Sequence, residues 1–95
     1  MHVAVLTIEI HIPESTHLKA KRSIVKPLVV RLQREYNISV SEVDRQDNHH
    51  LCVIACAMIS TSIPLLEETL SCVPEFIART FPNIQVYDTH LEILA

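Results

Sequence analysis

Hydrophobic and polar positions alternate along two segments of the chain, with the period of two that is typical of β-strands. Residues 3–12 alternate throughout and residues 38–43 repeat the pattern, so both segments predict half-buried strands. Residues 51–59 are apolar at every position, which predicts a central strand that is covered on both faces. Residues 84–94 predict the last strand.

The segment 18–36 has a helical period instead. At 100° per residue its apolar side chains fall within about 100° of arc, which predicts an amphipathic helix. These side chains are Leu18, Val25, Leu28, Val29, Leu32 and Tyr36. Pro27 lies within this segment, and an interior proline removes an amide hydrogen bond. Two arrangements fit: a helix kinked at Pro27, or a first turn over 17–22 followed by a helix capped by Ser23.

A second helix is predicted after the apolar strand, with Thr61 or Ser62 as its cap, Pro64 in its first turn and a kink at Pro74. The element order is then β-α-β-β-α-β, in a single domain covering residues 1–95. This order predicts an α+β, ferredoxin-like fold, in which two helices cover one face of a four-stranded antiparallel sheet with strand order 4-1-3-2.

The composition contains no glycine. Phosphate-binding loops and dinucleotide fingerprints need glycine where the backbone approaches phosphate, so both are excluded. Any bound phosphate must therefore be held by side chains or by helix N-termini. No nucleophile with an adjacent base is apparent either, and we expect a protein that is not an enzyme and has no cofactor.

Several features favour a cytoplasmic protein without a membrane span. No apolar run reaches 18 residues, and the first residues alternate like a strand, unlike a signal peptide. The three cysteines are an odd number, which favours a reducing compartment. We expect Cys52, Cys56 and Cys72 to be buried as small hydrophobic residues.

Positive charge is concentrated in the first helix. Residues 15–34 contain six of the eight lysines and arginines and no acid, so this segment carries +6 and the remainder −9, for a net charge of −3. The six are Lys19, Lys21, Arg22, Lys26, Arg31 and Arg34. They are candidate contacts to RNA phosphates or to a ribonucleoprotein. Alternatively they form a solvated helix face, paired in part with Glu67, Glu68 and Glu75 or with a second subunit.

Base recognition of the RRM type is not favoured. The net charge is negative, and none of the four Phe and Tyr residues lies on the two central strands, where RRM domains stack bases. Binding to the RNA backbone is compatible with both observations.

Polar residues collect on the sheet face that the helices leave open. On the predicted register, the facing residues are Thr7, Glu9 and His11 on the first strand and Glu92, His90 and Asp88 on the last. Glu9 with His90, and His11 with Asp88, are then predicted as cross-strand pairs. The same four groups could instead form a divalent-metal or acid-base site.

The loop 44–50 carries a second group of polar side chains. These are Asp44, Asp47, His49 and His50, followed by Cys52. No metal-binding spacing supports a zinc site, so the loop is interpreted as a polar hairpin connection. Its two aspartates could anchor Arg22 or Arg45.

We also expect a homodimer. The mean hydropathy of +0.25 is high for a small soluble monomer. The helices cover one face of the segment 51–59, which leaves its other face, with Val3 and Val5, for a second subunit.

Residues 18–47 resemble the YlxP-like family of small bacterial proteins, which has no assigned function. The family has an S-L-K-x-K-R start to its first helix, matched here by HLKAKR, and N-V-x-V-x-E-V-D-x-Q-D, matched by NISVSEVDRQD. The strand VAVLTIEIHIP and the ending LEIL are also similar. The resemblance implies a ferredoxin-like fold in the bacterial cytoplasm, and the family's gene neighbourhoods imply an RNA-related role. It supplies no catalytic residues. His17 replaces the family's serine, which would leave the helix cap to Ser15 or Thr16.

Overall fold

The computed structural model describes all 95 residues and contains four strands and three helices. The elements are β1 (His2–His11), α1 (Leu18–Glu35), β2 (Ser39–Asp44), β3 (Leu51–Ser60), α2 (Ile63–Ser71), α3 (Val73–Thr80) and β4 (Gln85–Ile93). The strands form one antiparallel sheet in the order β2-β3-β1-β4. This is the predicted order 4-1-3-2 counted from the other edge, and the ferredoxin-like fold is confirmed.

The core lies between the helices and one face of the sheet. Alternate residues of β1 from Ala4 to Ile10 are buried, as are Cys52, Ile54 and Cys56 of β3. They pack with buried residues of the helices, namely Val25, Leu28, Leu32, Leu66, Leu70, Val73, Phe76 and Ile77. The other face of the central strands is half-buried and has no helix over it.

α1 continues through Pro27 as one helix of 18 residues, so the alternative of a separate helix capped by Ser23 is wrong. The Ser23 hydroxyl instead donates to the Ala20 carbonyl at 2.7 Å. Because proline has no N–H, the carbonyl of Ser23 lacks its helical partner, at a cost of about 3 kcal/mol. Leu28 and Leu32 are fully buried after it, and each contributes about 1.5–3 kcal/mol. Core packing therefore keeps the helix continuous.

The cap of α1 is His17, so the assignment of the cap to Ser15 or Thr16 is wrong. His17 has extended backbone geometry, and its Nδ1 accepts from the N–H of Ala20 at 3.1 Å. An imidazole nitrogen thus replaces the hydroxyl that commonly caps helices. Ser15 is buried and donates from Oγ to the His17 carbonyl at 3.3 Å.

The second helix is divided into α2 and α3 at Cys72, where a kink at Pro74 was predicted. Pro74 lies in the first turn of α3, a position where a missing N–H costs little. The α2 cap is Ser62, one of the two predicted candidates, and it accepts from the N–H of Leu65 at 3.2 Å. None of the three helices has the length and apolar character needed to span a membrane.

Candidate nucleic-acid interface

The exposed part of α1 carries five cations, spread over about half of the helix circumference, which we call the basic surface. It consists of Lys19, Arg22, Lys26, Arg31 and Arg34, all of them exposed. At 1.5 Å per residue these cations extend over about 22 Å, from the first turn of the helix to the last. The helix contains no acidic residue before Glu35 at its end. The basic surface therefore presents one sign of charge along almost the whole helix.

None of these five cations forms an ion pair within the chain. The single ion pair of the protein joins Lys21 to Glu42. The expected pairing with Glu67, Glu68 and Glu75 is therefore wrong within one chain. Arg31 instead lies over the ring of Phe76, with its guanidinium carbon 5.7 Å from the ring centroid. The five cations are thus exposed without a direct ion pair and are accessible to an anionic partner.

Lys21, the sixth candidate, is not part of the basic surface. Its side chain is 1% exposed, and Nζ lies 2.8 Å from Oε2 of Glu42. Nζ also donates to the carbonyls of Arg45 at 2.6 Å and Asn48 at 2.7 Å. The residue lies on the apolar arc of α1, so its ammonium group points at the β2–β3 connection. The prediction that Lys21 contacts a partner is wrong, because all its donors are used internally.

The β2–β3 connection is shaped around this lysine. The Asp44 carboxylate accepts from the backbone N–H of Arg45 at 2.8 Å, and Asn48 Oδ1 accepts from the N–H of His50 at 2.8 Å. Arg45 has φ of 63°, the only positive value in the chain. Neither Asp44 nor Asp47 forms an ion pair with an arginine side chain, so the predicted anchoring of Arg22 is wrong, and Asp44 contacts Arg45 only through the backbone N–H.

The three cysteines divide into two classes. Cys52 and Cys56 are buried as predicted, whereas Cys72 is exposed between α2 and α3. Burial raises the pKa of Cys52 to about 12, and the nearby Glu42 carboxylate adds to the rise. Burial also raises the pKa of Cys56 to about 12. Both thiols remain protonated at neutral pH, and neither is a nucleophile.

The polar cluster on the open face has a different register from the predicted one. Thr7 faces His90, and His11 faces Gln85, because β4 is displaced by two residues and a bulge lies opposite Glu9. Neither predicted pair, Glu9–His90 or His11–Asp88, is formed. Three of the four candidates do line one shallow pocket of about 180 Å³, which is lined by Thr7, Glu9, Val53, Asp88, Thr89 and His90. No group of three or more potential metal ligands is close enough to hold an ion.

His11 belongs to a separate cluster that the sequence reasoning did not find. Its ring stacks beside Tyr87, with centroids 5.7 Å apart and planes at 27°, and His50 meets it edge-on at 6.0 Å. The Tyr87 hydroxyl donates to Oε1 of Gln85 at 3.0 Å, and His11 Nδ1 lies 3.2 Å from both oxygens. We call His11, His50 and Tyr87 the ring cluster. The bulge in β4 was the missing information, because it sets which residues face His11.

The opposite end of the open face is apolar on β1 and β3, with the exposed Glu92 of β4 beside Val5. Val3 pairs with Ile59, and Val5 pairs with Ala57, in the β1–β3 register. Ile59 is 61% exposed, and no helix covers it. A shallow pocket of about 270 Å³ lies here and is lined by Val3, Ser39, Ala57, Met58 and Ile59. We call the end formed by Val3, Val5, Ala57 and Ile59 the apolar patch.

Similar proteins agree with this architecture. The chain resembles the de novo designed protein Foldit4, with a TM-score of 0.58 and 16% identity over 95% of this chain and 96% of that one. A second designed protein with a ferredoxin fold has a TM-score of 0.57 and 13% identity, covering 100% and 87% of the two chains. These likenesses show the fold alone.

A natural relative is similar in sequence. The uncharacterized protein YlxP of Bacillus subtilis (strain 168) is 35% identical over 75 residues, which cover 79% of this chain and 80% of the relative. The model of the family described as "Protein of unknown function (DUF503)" matches residues 3–91. Because this match spans nearly the whole chain, the protein belongs to the DUF503 family, which includes YlxP-like proteins.

Proposed function

We propose that this protein is a non-enzymatic module of the bacterial cytoplasm that binds RNA through its phosphates, using the basic surface of α1. The observation that carries the proposal is the set of five exposed cations without an acidic partner in the chain. Negative charge is carried elsewhere on the protein, and the net charge is −3. Binding would therefore be directed to one helix face, since like charge on other surfaces repels RNA.

Contacts of this kind are held by side chains and do not read sequence. Each lysine or arginine that neutralises a phosphate releases a condensed counterion, so affinity falls as salt rises. Five contacts to a single strand correspond to a slope of log K against log salt of about −3.5. The absence of glycine agrees with this mode, because it leaves no backbone loop able to enclose a phosphate.

The test is the salt dependence of binding to a labelled ten-nucleotide single-stranded RNA, measured by fluorescence anisotropy. The double variant Arg22→Gln/Lys26→Gln is expected to weaken binding about tenfold at 50 mM salt and to reduce the slope by about 1.4. The double variant Thr61→Glu/Ala78→Glu changes the net charge by the same amount outside α1, and it should bind much like the wild type. Undetectable binding of the wild type at 50 mM salt would overturn the proposal. Equal losses in both double variants would show that net charge, and not this helix face, governs binding.

We also propose that two copies of the chain associate through the open sheet face at the apolar patch. An exposed isoleucine beside half-buried valines and alanines on a flat sheet is a surface that a second apolar surface stabilises. A symmetric pair would place the same patch of each copy in contact.

Light scattering at micromolar concentration tests this association. The wild type is expected to have twice the monomer mass. Ala57→Glu places an unpaired carboxylate in the patch and is expected to give a monomer, whereas Ser71→Glu, at the exposed end of α2, should remain a dimer. A monomeric wild type would contradict the proposed association.

A further inference from the structure

We propose that the ring cluster of His11, His50 and Tyr87 is a stacking surface for unpaired RNA bases. This inference rests on the proposed function, and it adds a contact to bases to the contact with phosphates. The ring planes of Tyr87 and His11 are within 27° of parallel, and Tyr87 is 51% exposed. Bases stack on aromatic and imidazole rings, and such stacking tolerates any base.

The rings are held in position before any ligand arrives. The Tyr87 hydroxyl and His11 Nδ1 both meet Oε1 of Gln85, at 3.0 and 3.2 Å. His50 is fixed from its backbone, because its carbonyl accepts from the N–H of Ile12 at 2.7 Å. A ring that is already oriented loses little freedom when a base stacks on it.

The ring cluster lies at the same end of the molecule as the start of the basic surface. The β2–β3 connection lies beside both: His50 is at one end of it, and the carbonyls of Arg45 and Asn48 accept from the ammonium group of Lys21, the buried neighbour of Arg22 in α1. Lys19 and Arg22 flank that lysine and are exposed. Arg45 is also exposed in this connection. Lys19 and Arg22 lie on the helix side of the sheet and Tyr87 lies against His11 on its open face, so a single strand that contacts both must pass around this end of the molecule.

This surface differs from that of an RRM domain, in which aromatic rings stand on the two central strands. Here His11 stands at the end of the central strand β1, His50 directly precedes β3, and Tyr87 stands on the edge strand β4. Two of the three rings are imidazoles, so this surface can stack bases although no Phe or Tyr lies on the two central strands.

Two probes of equal length separate bases from phosphates: decaadenylate and an abasic ribose-phosphate decamer. The wild type is expected to bind decaadenylate about fivefold or more tightly than the abasic decamer. Tyr87→Ser is expected to abolish that preference and leave abasic binding unchanged, whereas Tyr87→Phe keeps the ring and should retain it. Arg22→Gln/Lys26→Gln should weaken both probes by the same factor.

Tyrosine fluorescence gives an independent readout, since the protein has no tryptophan and two tyrosines. In a Tyr36→Phe background, Tyr87 is the sole tyrosine, and decaadenylate but not the abasic decamer should quench it. If the wild type binds both probes equally, base stacking is overturned while phosphate binding stands. If it binds neither probe, both proposals are overturned.

Discussion

Replacing Lys21 by methionine is expected to lower the free energy of unfolding by about 3–5 kcal/mol, the largest loss that we expect from a single change. Methionine fills a similar volume, so the loss does not come from a cavity. It arises because Oε2 of Glu42 is buried and lies 2.8 Å from the lysine ammonium group, so the substitution leaves a buried carboxylate without its cation. Two loop carbonyls lose a charged donor at the same time.

Urea unfolding followed by circular dichroism measures this loss. Lys19→Met is the matched control, because Lys19 is exposed on the same turn, and its change should stay within about 0.5 kcal/mol. The double variant Lys21→Met/Glu42→Leu removes the abandoned carboxylate and should recover most of the loss. A loss below about 1 kcal/mol for Lys21→Met would mean that water reaches the carboxylate and that the pair is not a structural link.

Replacing Pro27 by alanine is expected to stabilise the protein by about 2 kcal/mol. Alanine restores the N–H that the Ser23 carbonyl lacks, and the full difference between proline and alanine inside a helix is about 3 kcal/mol. The unfolded chain gains freedom when proline is removed, which offsets about 0.4–1 kcal/mol. Pro27 is exposed, so the substitution leaves no internal cavity. For a chain of this size the melting temperature should rise by about 8–16 °C.

Two other prolines serve as controls in the same melting experiment. Pro64 and Pro74 both lie in the first turn of their helices, where no intrahelical bond is lost. Pro64→Ala and Pro74→Ala should therefore leave the melting temperature nearly unchanged or lower it slightly. A similar rise for all three variants would show that helix propensity alone, without the Ser23 carbonyl, accounts for the effect.

The strand order and the helical faces could be predicted because they depend on local patterns. Alternation in β1 and the apolar run 51–59 of β3 identify these two strands, both central in the sheet, without knowledge of any particular contact. The continuity of α1 through Pro27 could not be predicted in this way. It depends on whether the stabilisation from burying residues such as Leu28 exceeds the cost of a lost hydrogen bond. How far these residues are buried depends on their packing against the sheet.

The residues of the basic surface could be predicted, because the position of a side chain around α1 decides whether it is exposed. The apolar arc of α1 contains Lys21 and excludes the five exposed cations. The partners of the buried Lys21 could not be predicted, because they depend on the path of the β2–β3 connection. The ring cluster required the register of β4, where a two-residue displacement and one bulge together place Gln85 opposite His11 and bring Tyr87 to its ring. Register is set by side-chain packing over the whole sheet, and strand ends do not specify it.

Arg45 is the single residue in the left-handed region, so the fold needs almost no glycine, and this affects the entropy of the unfolded chain. A protein of this length would ordinarily contain six or seven glycines, each of which loses about 0.5–1 kcal/mol more backbone entropy than alanine on folding. This chain has none of them, so its unfolded ensemble is narrower than that of an average sequence. Apart from Arg45, all its residues fold with ordinary backbone angles. The smaller entropy loss on folding helps a small core to stabilise a sheet whose second face has no helix over it.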